Sequence, residues 1–161
     1  MPGRGHRVFA THSIEVSTTV NAPLGYVYDW CTDYRTDDWK VSGSGRRPRF
    51  RVLRPSPRRV IRMRFSPEKS KDPAIALELI RLEPPDAWHL DQIDETDRQT
   101  IDYKLTALGP AKTRLDLHIT ERWVVPKHPT RKEYQERTKE VWNQFVGFLE
   151  LRYRSGRPAK G

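Results

Sequence analysis

The sequence predicts an α+β domain: a curved antiparallel sheet of seven strands wrapped around one long C-terminal helix. Apolar residues alternate with polar ones in short runs across most of the chain, and the runs are separated by Pro, Gly and Asp. After the last run, an amphipathic pattern of helical period extends for some six turns behind a capping box. A length of 161 residues suits a single core.

The first strand begins at His12, where Ile14, Val16, Thr18 and Val20 alternate with Ser13, Glu15, Ser17 and Thr19. Asn21-Ala22-Pro23 then marks a helix start, Asn21 as capping residue and Pro23 in the first turn. Leu24, Val27, Cys31 and Tyr34 give that short helix one apolar face. A second short helix is expected over Asp33 to Trp39, before Ser42-Gly43-Ser44-Gly45 breaks the chain. Six strands follow as three pairs. Arg47–Arg54 and Arg58–Phe65 flank Pro55-Ser56-Pro57, and Ala74–Leu82 and Ala87–Ile93 flank Glu83-Pro84-Pro85-Asp86. Arg98–Leu108 and Lys112–Val125 flank Gly109-Pro110. In this last pair Ile101, Tyr103 and Leu105 share a face, as do Leu115, Leu117 and Ile119, so the sheet has one dry side.

Thr130 is the expected N-cap of the long helix, with Glu133 reaching back to it. Tyr134, Val141, Trp142, Phe145, Leu149 and Tyr153 form its apolar stripe, with Phe148 beside it. Ser155-Gly156 ends it. The domain is thus expected over 12–153, between a basic tail at 1–11 and a frayed basic tail at 154–161.

Composition narrows the function. Hydrophobic residues at 35% and charged residues at 32% describe a compact core under a charged surface, too apolar for a disordered chain. The lone Cys31 excludes an internal disulfide and a thiolate-cluster metal site. The five histidines lack the helical pair spacing of a zinc hydrolase, and Asp33, Asp37 and Asp38 lack a calcium-loop pattern. No metal and no cofactor are expected. The first residues lack an apolar signal segment, and no run is long enough to span a bilayer, so a cytoplasmic protein is expected. The net charge of +9 and a pI near 9.9 would attract anionic partners of any kind.

The stretch His12-Ser-Ile-Glu-Val-Ser-Thr-Thr-Val-Asn-Ala-Pro-Leu-Gly-Tyr-Val-Tyr-Asp-Trp resembles the START-like (SRPBCC) superfamily, which includes polyketide cyclases and birch-pollen-allergen-like proteins. Ala22-Pro23 after the first strand, then Val27, Tyr28, Trp30 and Thr32-Asp33-Tyr34, carry the likeness. It implies the helix-grip fold, with a ligand cavity between the sheet and the terminal helix. That superfamily spans carriers, receptors and enzymes, so the fold leaves the activity open. Features of the Hsp90-activator branch and of iron–sulfur ring hydroxylases are missing.

Two constellations stand out. Along the dry face, Trp88, Tyr103, Leu117, Glu121 and Trp123 from the sheet, with Trp142, Phe145 and Leu149 from the helix, would line a cavity for a hydrophobic or amphipathic small molecule. A buried Glu121 close to Tyr103 would permit a cyclase- or hydrolase-like acid–base step; the plainer role for Glu121 is an ion pair with an arginine such as Arg81. The second constellation is basic: Arg47, Arg49, Arg51, Arg62 and Arg64 are read as a stripe on the outer face of one hairpin. Such a stripe would bind nucleic acid or an anionic membrane surface weakly, or simply keep an edge strand from pairing. No aromatic platform for stacking bases accompanies it.

Overall fold

The computed structural model describes residues 7–34, 49–65 and 75–160. Its elements run β1 (Ala10–Val20), α1 (Leu24–Thr32), β2 (Arg49–Ser56), β3 (Arg59–Phe65), β4 (Ala76–Glu83), β5 (Ala87–Asp94), β6 (Asp97–Gly109), β7 (Lys112–Trp123) and α2 (Arg131–Arg154). The strands form one antiparallel seven-stranded sheet in the order β1-β7-β6-β5-β4-β3-β2. Each of the expected strands is present, within a few residues of its predicted ends. Arg47 and most of the predicted second helix lie outside the described residues.

Alternation is clearest in β7, where Leu115, Leu117 and Ile119 are buried and Arg114 and His118 are exposed. Register then places Ile14, Ile119, Ile101, Leu90, Ile80 and Val60 side by side across six strands. That transverse apolar row is the floor on which the helices pack. β1 lies at one edge of the sheet, where α2 covers it: Arg131 Nε donates to Ser13 O at 2.9 Å and Gln135 Nε2 to Glu15 O at 3.2 Å. These bonds occupy main-chain acceptors that an edge strand would otherwise expose.

The start of α1 departs from expectation. Pro23, in extended conformation, takes the N-cap position, and no side chain caps the helix. Asn21 instead reaches across to Glu150 Oε2 at 3.4 Å. The preceding turn is held by Thr113, whose buried hydroxyl donates to Ala22 O at 2.8 Å.

α2 begins as its capping box dictates: Glu133 N donates to Thr130 Oγ1 at 3.2 Å, and that hydroxyl donates to Glu133 Oε1 at 3.0 Å. Its 24 residues span about 36 Å. Tyr134, Val146 and Leu149 are buried, while Val141, predicted to face inward, is 39% exposed. The frayed C-terminal tail is also corrected. Tyr26 Oη donates to Arg157 O at 2.9 Å, Arg152 Nε to Pro158 O at 2.6 Å, and Ala159 packs on the core, so residues 157–159 are docked. Among the described residues no helix is long and apolar enough to cross a membrane.

Candidate functional site

Between the concave face of the sheet and α2 lies a cavity of about 330 Å³. That volume is at the lower end of small-molecule sites. Its apolar walls come from α1 (Trp30), from the sheet (Leu90, Ile101, Tyr103) and from α2 (Trp142, Phe145). Arg137, Val141 and Gln144, spaced along one face of α2 and all exposed, form its mouth.

One side of the cavity is polar, and strand register explains why. Arg62 of β3 pairs across with Glu78 of β4, Glu78 with Gln92 of β5, Gln92 with Gln99 of β6, and Gln99 with Glu121 of β7. His12 of β1 completes the line opposite Glu121. Six adjacent strands therefore carry one polar row, running parallel to the apolar row of Ile101 and Leu90 and two residues along from it. At roughly 4.8 Å between strands the row is about 24 Å long.

Most of this row is satisfied internally. Arg62 and Glu78 are each 3% exposed and joined by a hydrogen-bonded ion pair. The Arg62 guanidinium also lies 4.2 Å from the Phe50 ring centroid and 5.0 Å from that of Tyr34. At the other end, Gln99 Nε2 donates to Tyr134 Oη at 2.7 Å and to Glu121 Oε2 at 3.3 Å. Burial and the Glu121 carboxylate push the Tyr134 hydroxyl far above its ordinary value. His12 Nε2 is 3.1 Å from Pro129 O. Gln92, half-buried in the middle, has no hydrogen-bond partner among the described residues, and it lines the cavity.

A carboxyl pair adjoins the Glu121 end. Burial, then hydrogen bonding to Glu121 and Asp94, pushes the Asp97 carboxyl up to about 9. Asp94 faces the same burial, but hydrogen bonds from Asp97 and Thr96 outweigh it and hold it below its usual range. No group of histidine, cysteine, aspartate or glutamate side chains among the described residues is arranged to hold a metal.

The structure places three of the eight predicted cavity residues at the cavity and the other five elsewhere. Tyr103, Trp142 and Phe145 line the cavity. Trp88, Leu117 and Leu149 lie behind it in the packed core: Trp88 stacks on Tyr103 at 4.4 Å, and Leu117 and Leu149 are each 2% exposed. Trp123 belongs to an aromatic cluster with His12, His128 and Tyr134. Glu121 is buried as expected but is not near Tyr103, which pairs with Leu117. Four residues of strand, about 13 Å, separate them, so the acid–base pair does not form. Nor does Glu121 meet Arg81, which pairs with Glu83 at 3.0 Å on the outside.

The outer arginine stripe is corrected as well. Arg49 and Arg51 are exposed, but Arg62 and Arg64 stand on the same inner side as Val60. Glu78 of β4 faces in with Arg62. The sequence signal was ambiguous in β3, where Ile61, Met63 and Phe65 form the more apolar set. Register with β4 decides against it: Val60 pairs with Ile80, which is buried, and Ile61 with Leu79, which is 40% exposed. Cys31, Gln92, Gln99 and Arg137 were missed as cavity residues; no local pattern distinguishes them.

A seven-stranded antiparallel sheet gripping a terminal helix, with a cavity between the two, defines a helix-grip α+β fold. Solved structures share it along nearly their whole length. The Zhui aromatase/cyclase from Streptomyces sp. R1128 matches with a TM-score of 0.59 and 15% identity, covering 91% of this chain and 98% of its own. The protein TTHA0849 from Thermus thermophilus gives 0.61 and 16%, over 89% and 98%. Ara h 8.0201 gives 0.57 and 9%, over 87% and 98%. At such identities the likeness is one of fold. No protein-family model and no curated protein matches the sequence.

Proposed function

We propose that this protein binds or carries a hydrophobic or amphipathic small molecule between its sheet and α2. The observation that supports this most is the cavity of about 330 Å³, with aromatic walls and a single polar row. A flat ligand would lay its apolar body against Ile101, Tyr103, Trp142 and Phe145 and turn its hydrogen-bonding edge toward Gln92. Gln92 suits that role because its neighbours on both sides are already paired within the protein. The reading requires no chemical step. The separation of Tyr103 from Glu121 argues against the enzymatic alternative built on that pair, and the inward turn of Arg62 argues against an arginine-hairpin adaptor.

N-phenyl-1-naphthylamine, a neutral dye that brightens in apolar surroundings, tests the proposal. Its emission should rise with protein and saturate. Its binding should slow alkylation of Cys31, which borders the same space, by iodoacetamide. Val141→Trp, which obstructs the mouth, should weaken it. Dye emission unchanged by the protein, or Cys31 reacting at the same rate with dye present, would overturn the reading.

A further inference from the structure

Among the described residues, the charges that border the cavity are Arg62, Glu78 and Arg137. Two of them cancel. Arg62 and Glu78 are buried and locked together, so a ligand ion brought beside either would have to break a desolvated pair. The rest of the polar row facing the cavity is neutral amide, from Gln92 and Gln99. An ionic group carried into the interior would therefore lose its water without gaining a counter-ion.

The mouth is different. Arg137 is exposed and, among the described residues, makes no ion pair or hydrogen bond. Its acidic neighbours on α2 are committed elsewhere or not engaged with it: Glu133 closes the capping box, and Glu136 and Glu140 make no ion pair with it. The apolar wall formed by Val141, Trp142 and Phe145 begins directly below Arg137 on the same helix. An unpaired guanidinium beside an aromatic-lined opening matches a molecule with a carboxylate or sulfonate at one end and rings at the other.

We infer that the cavity selects anionic amphiphiles, entering ring-first, with the neutral part buried and the anion held at the mouth by Arg137. This rests on the ligand-binding reading above and adds to it the charge and orientation of the ligand. A matched pair of dyes tests it: 1-anilinonaphthalene-8-sulfonate carries the ring system of N-phenyl-1-naphthylamine plus one sulfonate. At low salt Arg137→Gln should weaken the sulfonate dye about fivefold and leave the neutral dye unchanged, as loss of one solvent-facing charge contact requires. Added salt should erase that difference. Lys139→Gln removes an equal charge from an exposed position two residues away and should change neither. If Arg137→Gln leaves the sulfonate dye unaffected, or Lys139→Gln weakens it as much, the inference fails while neutral-dye binding still supports the cavity. If instead the neutral dye does not bind or is indifferent to Val141→Trp, the cavity reading itself fails.

Discussion

Arg62 and Glu78 show how a single pair of residues can depend on its setting. Each would be costly alone in an apolar interior, and together they are tolerated because the guanidinium is hydrogen-bonded to the carboxylate and covered by Phe50 and Tyr34. Arg62→Met should therefore destabilise the protein by about 3–5 kcal/mol, because it strands a buried carboxylate. The double variant Arg62→Met/Glu78→Leu should recover most of that loss; urea denaturation of the three proteins checks both outcomes. Asp97 makes a separate prediction. An unfolded aspartate releases its proton at about pH 4, whereas folded Asp97 keeps it up to about 9. Across that window the folded state binds more protons, so raising the pH lowers stability. Denaturation at pH 5 and pH 8 should show the decline, and Asp97→Asn should flatten it. A wild-type protein equally stable at both would refute the assignment.

At the scale of elements, α2 has two kinds of apolar contact. Leu149 is 2% exposed and enclosed by the core, so Leu149→Ala should cost about 2–5 kcal/mol. Phe145 is half-buried and faces the cavity, where its removal enlarges an existing space more than it opens a new one. Phe145→Ala should cost only about 1–2 kcal/mol, with less apolar surface withdrawn from water to lose. It should nonetheless weaken dye binding more than Leu149→Ala does. Equilibrium denaturation with parallel dye titrations separates the two effects. The capping box and the end of this helix were readable directly, since both are local chemistry. Its buried face includes Val146 and leaves Val141 exposed, a choice made by what α2 packs against and not by its own period.

Across the whole molecule, the cavity exists because six strands stack their residues in transverse rows. Apolar rows hold the structure together, and one polar row from His12 to Arg62 passes beside the space under α2. A ligand that fills this space binds only the folded state. Neutral dye at a hundred times its Kd should therefore stabilise the protein by about 2.7 kcal/mol, read as a rise in Tm. The convex side has its own apolar neighbours, with Leu53, Ile61 and Leu79 in one row and Met63, Leu77 and Ile93 in the next. Their presence is what made the parity of β3 misleading.

The sequence alone determined the order of strands and terminal helix, the turns between them and the dry face of β6 and β7. Those features arise from period, turn chemistry and capping, which act over a few residues. Tyr103, Trp142 and Phe145 border the space under α2, and the expectation of a cavity there came from a resemblance that supplied the architecture. Only the tertiary structure decided that Arg62 and Glu78 turn inward, that Glu121 is remote from Tyr103, and that Gln92 and Arg137 border the cavity. All but the last depend on register between strands distant in sequence, whereas Arg137 is placed by the way α2 packs against the sheet. A strand with apolar residues on both faces carries no local record of which side meets the core, and its neighbours make the choice.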